Sequence, residues 1–366
     1  MAIHPPPSVT SVPSLLAASL PDGSVRCGVC AHRCVVRPGR HGICGVRENV
    51  GGTLVCYAYG EVAALGLDPI EKKPVFHVDP GSLSYSIATA GCPFHCRFCQ
   101  NWEIAQGPRL GLDLPMRRLA PEQVVAEAQR SGARSVAYTY VEPTVFLEYA
   151  LDTARLARAA GLRNLFVTDG YATPEAIGLL GRVIDAANVD LKSFDDAFYR
   201  TICGARLAHV LEAITAMRAA GIWLELTTLV IPGHNDTDDE LRALTGWIVA
   251  NLGPFTPWHV SRFYPAYRML HTPPTSVATL VRAAEIGRAA GLRYVYVGNA
   301  PELGLEDTSC AGCGQLVIER RGYRTRSHLT DSGACPACRR PLEGVGLASD
   351  QASAGSTTRD GREACG

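Results

Sequence analysis

The stretch Gly91-Cys92-Pro93-Phe94-His95-Cys96-Arg97-Phe98-Cys99-Gln100-Asn101 constrains this chain more than any other. Its three cysteines, at C-x3-C-x2-C, follow directly on an apolar, strand-like run from Ser84 to Ala90. Free cysteine is among the most buried residue types, so three buried thiols are the bland explanation. Their spacing in one short loop after a strand points instead to a shared ligand. Three thiolates can hold three irons of a [4Fe–4S] cluster and leave the fourth iron without a protein ligand, whereas such clusters are otherwise held by four cysteines. An open metal position is where chemistry occurs; a closed shell is more often structural. Phe94 and Phe98 alternate with the cysteines and would shield a cluster from water, which tunes its potential.

At 366 residues the chain can bury one large domain and carry small appendages. Lys+Arg and Asp+Glu are both 35, so no net basic field calls for a nucleic acid partner. The 14 cysteines, several in Cys-x2-Cys pairs, suggest metals more than disulfides. The first twenty residues contain Ser14-Leu15-Leu16-Ala17-Ala18 but no Lys or Arg, whereas a signal peptide wants a basic start and a longer apolar core, so the expectation is a loose arm over 1–20. No run approaches the roughly 18 apolar residues of a membrane span. The expectation is a cytoplasmic protein with no membrane partner.

Cys27-x2-Cys30-x3-Cys34-x9-Cys44 opens a cysteine-rich module over 21–60, with Pro38-Gly39 and Gly42 turning the loop. Four thiols at this spacing could make a tetrahedral site. Zinc is the default closed-shell ion, and an auxiliary iron–sulfur cluster is its rival, because soft thiolates suit both. Cys56 lies outside the spacing and is expected to be an ordinary buried thiol.

After the cysteine loop the sequence settles into a strand–helix rhythm. β-branched runs at Ser135–Tyr140, Asn164–Thr168, Asn188–Leu191, Trp223–Ile231, Trp258–Phe263 and Arg293–Val297 alternate with helical stretches such as Pro121–Ser131, Thr144–Ala160 and Leu207–Ala220. Glycines 132, 161, 221 and 291 punctuate the helix ends. With the strand before the cysteines, the rhythm predicts six or seven βα units: an α/β fold with a parallel sheet or barrel, a doubly wound sheet being compatible with the same pattern.

Ligands gather at the carboxyl ends of such strands. There, Pro143 is suited to open a helix and leaves Glu142 at a strand tip, where its carboxylate could accept from an ammonium or merely favour the helix start. Thr168-Asp169-Gly170 could reach a ribose or form a plain turn. Asp190 and Lys192 point to one side of their strand, Leu191 to the other. Two such charges need partners, either a zwitterionic ligand or one another. His259 shares a strand face with Ser261 and Phe263, and its role stays open.

Near the end, Cys310-x2-Cys313 and Cys335-x2-Cys338 stand 21 residues apart. That is the pattern of a four-cysteine zinc ribbon over 305–346, although iron held as in rubredoxin would look the same. Beyond Leu347 the composition predicts a disordered tail, 347–366, in which Cys365 is incidental.

The C-x3-C-x2-C loop, with an aromatic before its last cysteine, resembles that of the radical S-adenosylmethionine (SAM) enzymes. The extension FCQNWEIAQ resembles the branch around pyruvate formate-lyase activating enzyme. Together with HVSRF and the cysteine modules at both ends, it makes the chain similar to the AmmeMemoRadiSam-system radical SAM proteins from Cys27 to about Gly344. The resemblance implies a partial (β/α)6 barrel over 80–304 and an oxidoreductase whose [4Fe–4S] cluster is ligated by Cys92, Cys96 and Cys99. SAM would chelate the open iron and be cleaved reductively, and the resulting radical would abstract a hydrogen atom from substrate. Glu142 matches the glutamate of the family's Gly-Gly-Glu segment, which binds the SAM amino group; Tyr140-Val141 stand where the glycines would be. Thr168 and the Asp190-Leu191-Lys192 segment match positions near SAM. The implied partners are a flavodoxin- or ferredoxin-type electron donor and companion proteins of the AmmeMemoRadiSam system. A glycyl-radical activase and a plain iron–sulfur electron-transfer or metal-scaffold protein are the alternatives.

Overall fold

The computed structural model describes residues 11–348. Seven parallel strands form the centre: Leu83–Thr89, Ser135–Tyr138, Arg163–Thr168, Ala186–Asp190, Trp223–Val230, Trp258–Arg262 and Val295–Gly298. Each pairs in parallel with the next in chain order. Such strands are covered on both faces and need near-continuous apolar runs rather than alternation. Ser135–Tyr138 is buried at every position.

Helices fill the crossovers, among them Pro121–Arg130, Leu147–Ala159, Leu207–Ala219, Asp238–Leu252 and Val277–Ala289. Their starts are set by side chains that accept from otherwise unpaired amides: Thr237 from Glu240 N and Ser276 from Thr279 N. Gly132, Gly161, Gly221 and Gly291 follow helix ends with positive φ, as the sequence predicts. No helix among the described residues is long and apolar enough to cross a membrane.

Two expectations need correction. The sheet begins before residue 80. Glu61–Pro69 lies antiparallel on the first parallel strand and pairs with Arg117–Arg118 beyond it, making nine strands in all. Its half-exposed position, next to the sheet edge, blurs the apolar signal that marks the parallel strands. Among the described residues the sheet is open, with Val295–Gly298 and Arg117–Arg118 as its two edges.

The second correction concerns the arm over 1–20. Its described part, from residue 11, is tied down. Val12–Pro13 pairs with Cys56 and Val55, Ala17–Ser19 pairs with Val25–Cys27, and Leu15 N donates to Glu148 (3.0 Å). Val55, Cys56 and Glu148 are remote in sequence, so local composition carries no trace of them. The tail lies outside the described residues except for 347 and 348, as does Cys365.

The C-terminal hairpin, Leu316–Arg321 and Arg324–Ser327, docks at the end of the sheet away from the cysteine loop. Buried Arg320 donates to Phe76 O (2.8 Å), with its guanidinium 4.2 Å from the Phe76 ring centre. Glu225 binds Phe76 N, His77 N and His259 Nε2 (2.9, 2.7 and 2.7 Å). His259 is therefore a satisfied structural residue.

Candidate active site

After Thr89 the chain turns at Gly91, where φ is 97°. A Cβ there would meet Val46 Cγ1 at 2.7 Å and Cys44 O at 2.8 Å, so only glycine lets the N-terminal module lie against the cysteine loop. The loop is held by backbone bonds: His95 N to Cys203 O (2.7 Å), Arg97 N to Ile202 O (3.0 Å) and Arg268 N to Arg97 O (2.8 Å). Ile202 and Cys203 belong to a single π turn, Tyr199–Cys203, a distortion often found at functional sites. Phe94 meets Tyr171 edge-on at 5.0 Å, and Phe98 packs on Phe198 at 6.2 Å. Both aromatics thus close the loop from behind.

Cys92 and Cys96 are buried and Cys99 is half-buried. Together they line one side of a cleft of about 310 Å³. Burial pushes the Cys99 thiol up to about 12. Burial, then the Asp169 charge, raises Cys92, while Cys96 is raised by a hydrogen bond with Cys203 as well as by burial. A bound metal would displace these protons. Cys203 is a fourth thiol at this loop that spacing could not reveal, because it lies far along the chain.

The strand ends supply the opposite wall. Glu142 is 2% exposed and starts the short 3-10 helix Pro143–Phe146. Its carboxylate accepts from Thr144 N (3.1 Å), Thr144 Oγ1 (2.8 Å), Thr168 Oγ1 (2.8–2.9 Å) and Asp169 N (2.6 Å). Burial, then the nearby Asp169 carboxylate, push its pKa up to about 7. Glu142 is thus a helix-start carboxylate and part of the cleft wall at once; the two alternatives are not exclusive. Thr168 touches Glu142 and positions it.

Lys192 Nζ stands 2.8 Å from Asp169 Oδ1 and 2.7 Å from Asp190 Oδ2. Burial opposes its charge, but the two carboxylates win and raise its pKa. Asp190 and Lys192 share a side as the strand period requires. Asp169 is the third member, brought in from the neighbouring strand, and its Oδ2 accepts from Cys92 Sγ (3.7 Å). Two carboxylates therefore face one lysine beside three thiols, with Glu142 next along the same cleft wall.

Tyr140 resolves the missing glycines. Its φ is +66°, the left-handed region that glycine favours, at a cost of roughly 1–2 kcal/mol for a side chain with Cβ. Its hydroxyl donates to Asp68 Oδ2 (2.8 Å), which also binds buried Lys73 (2.5 Å), and the Lys73 ammonium lies 4.6 Å from the ring centre. The tyrosine keeps the glycine conformation because this network over-determines it.

At the far end of the chain, Cys310 Sγ lies 3.5 Å from Cys338 Sγ, and Cys313 Sγ 3.6 Å from Cys335 Sγ. All four ligand atoms lie within 4.8 Å of one another. Tetrahedral thiolates about 2.3 Å from a zinc ion would stand roughly 3.8 Å apart, so the residues fit that ion. Cys27, Cys30, Cys34 and Cys44 line a separate, apolar-walled cavity. Cys56 is a plain buried thiol, 3.6 Å from Val145 O.

Residues 86–245 match the Radical SAM superfamily. An uncharacterized protein of Methanocaldococcus jannaschii, MJ0808, is 42% identical over 301 residues, 82% of this chain and 89% of that protein. The pyruvate formate-lyase 1-activating enzyme of Escherichia coli is 22% identical over 172 residues, 46% of this chain and 69% of the relative. Among solved structures, Streptococcus suis SuiB bound to S-adenosylmethionine superposes with a TM-score of 0.47 at 12% identity, covering 63% of this chain and 53% of that one.

Proposed function

Because this chain belongs to the radical SAM superfamily and is an enzyme, we propose that its cleft seats SAM against a [4Fe–4S] cluster held by Cys92, Cys96 and Cys99. The open sheet would curve as a partial barrel around that cleft. The observation that carries the proposal is a cleft that sets Glu142, Asp169, Asp190 and Lys192 across from three thiols, a mix of carboxylates and a cation that suits the ammonium and carboxylate of an amino-acid ligand. When bound, the cluster would supply the electron that cleaves SAM to methionine and a 5′-deoxyadenosyl radical able to take a hydrogen atom from substrate. The chain's own residues bind and orient. Glu142 receives the ammonium, Thr168 holds Glu142 in place, and Lys192 with Asp169 and Asp190 forms a charged ledge for the remaining polar groups. Phe94 and Phe98 exclude water.

By resemblance of its FCQN and HVSRF segments and its cysteine modules, the substrate is one handled with the companions of an AmmeMemoRadiSam system. A second reading, activation of a glycyl-radical enzyme, is favoured by the similarity to the pyruvate formate-lyase 1-activating enzyme. Either needs a one-electron donor of flavodoxin or ferredoxin type. A large glycyl-radical enzyme encoded beside this chain would favour the second. A scaffold without SAM chemistry is set aside, since the family's members are enzymes.

Glu142→Gln tests the SAM contact. All of its oxygens accept from chain donors, so an amide nitrogen must face one of them, and about 1–3 kcal/mol of stability should be lost. If the ammonium also binds here, SAM affinity should fall a further one to two decades, from losing a hydrogen bond to a charged group worth roughly 1.5–3 kcal/mol. Binding isotherms well below the melting point separate the two effects. Lowered stability with unchanged SAM affinity would leave Glu142 a helix-start residue only.

Zinc is proposed for Cys310, Cys313, Cys335 and Cys338, in a closed shell with no redox role. The full chain should retain about one zinc after air exposure has destroyed the open cluster, and Cys335→Ser/Cys338→Ser should remove it. Metal analysis finding neither zinc nor iron at this ribbon would end the assignment.

A further inference from the structure

The N-terminal cysteines converge although they come from separate pieces of chain. Cys27 ends the strand Val25–Cys27, and its N–H donates to Cys34 O (2.8 Å). Cys30 forms a bridge with Ala172, next to the end of the third parallel strand. Cys44 sits in a turn in which Gly45 N donates to Gly42 O (3.0 Å) and Gly42 N to Arg47 O (2.8 Å). The four thiols line one cavity of about 20 Å³, walled by Val29, Val36, Ile43 and Val145.

The separation of the sulfurs around that space discriminates between metals. A single tetrahedral zinc draws its thiolates nearly into contact, as the C-terminal four already are, and leaves no room between them. The N-terminal cavity could hold about one water, for which ~10–15 Å³ is needed. Among the described residues, only Cys310, Cys313, Cys335 and Cys338 form a group of ligand atoms all within 4.8 Å of one another. Cys27, Cys30, Cys34 and Cys44 do not, and neither do Cys92, Cys96 and Cys99. Thiolates that each ligate a different iron must stand further apart than those sharing one ion. Resting on the proposed function, the C-terminal four give a mononuclear geometry and the active-site loop a cluster geometry, and in the spacing of its sulfurs the N-terminal site sides with the second.

We propose that Cys27, Cys30, Cys34 and Cys44 hold a second iron–sulfur cluster rather than zinc. With four protein thiolates for four irons it has no open position, so it does not bind SAM. Its apolar walls exclude water from the cluster. The module lies directly on the first cluster's loop. Cys44 O abuts Gly91, His32 Nε2 is 3.1 Å from Pro93 O, and Arg109 bridges Ile43 O (2.8 Å) and Phe94 O (2.9 Å). The two centres therefore share a wall.

The test uses the full chain, reconstituted anaerobically with iron and sulfide in the presence of zinc. The triple variant Cys92→Ala/Cys96→Ala/Cys99→Ala should keep about four irons and four sulfides, with a reduced-state EPR signal that SAM does not alter. The complementary variant Cys30→Ala/Cys34→Ala should lose about half the wild-type iron while its remaining signal still responds to SAM. The proposal is overturned if the triple variant carries no iron and two zincs. It is equally overturned if Cys30→Ala/Cys34→Ala loses one zinc and no iron, a measurement that stands even if the triple variant fails to fold. Wild-type protein with one SAM-responsive cluster and two zincs would sink this inference and leave the proposed function intact. A SAM-silent cluster in the triple variant, beside a wild type with no SAM response, would do the reverse.

Discussion

Replacing Cys92, Cys96 or Cys99 with alanine is expected to reduce 5′-deoxyadenosine formation to background and abolish the SAM-responsive EPR signal. Each thiol would hold one iron at a site with only three protein ligands, so a single loss leaves too few to retain a reactive cluster. The fold should survive. The loop's conformation rests on backbone bonds to Ile202, Cys203 and Arg268 that do not involve the sulfurs. Circular dichroism and melting curves near wild type should accompany the loss of activity. Cys203→Ala is the matched control, since Cys203 is buried and its thiol bonds Cys96, yet it lies outside the motif. It should keep the cluster and its response to SAM. Retention of that response in all three motif variants, or its loss only in Cys203→Ala, would reassign the ligands.

Glu148→Ala should produce the largest loss of stability. Arg47 is 2% exposed, and its guanidinium meets the Glu148 carboxylate at 2.7 and 2.9 Å, also donating to Val145 O (3.1 Å). This pair joins the N-terminal module to the helix Leu147–Ala159. Removing the carboxylate leaves a buried cation without its counter-charge, a defect costing about 3–5 kcal/mol. In a chain of this size that corresponds to a melting-point fall of roughly 4–7 °C. Replacing both partners, as Arg47→Met/Glu148→Leu, should recover much of the loss, because the unpaired charge disappears with its partner. If the single and double variants melt alike, the pair is not the tie between the two parts.

The same pair carries a pH signature. Burial opposes ionisation of Glu148, but the Arg47 charge outweighs it and holds the carboxyl below its usual range. A depressed acid adds stability that is fully present above the ordinary glutamate pKa and is lost as pH falls through the native value. The wild type should therefore lose more stability than Arg47→Met/Glu148→Leu on acidification below about pH 4. Parallel acid titrations of the two would refute the link.

The sequence by itself determined what short-range pattern can carry. The seven parallel strands were legible because burial on both faces demands continuous apolar, β-branched runs, and the helix ends because glycine tolerates the left-handed turn. The cysteine loop and the C-terminal ribbon were legible because metal ligands come in local pairs and triplets whose spacing the ion dictates. Asp190 and Lys192 were found together because a strand repeats every two residues. Tertiary structure alone decided the rest. Asp169 joins Lys192, Cys203 meets Cys96, and Arg47 finds Glu148 only when remote segments are packed side by side, and a charge or thiol bears no mark of its distant partner. The left-handed Tyr140 is held by Asp68 and Lys73, more than sixty residues earlier, against its own backbone preference. Both four-cysteine spacings left zinc and iron open, yet one site brings its sulfurs into contact and the other holds them around a cavity. That difference is a matter of distance across the fold, and spacing along a chain does not contain it.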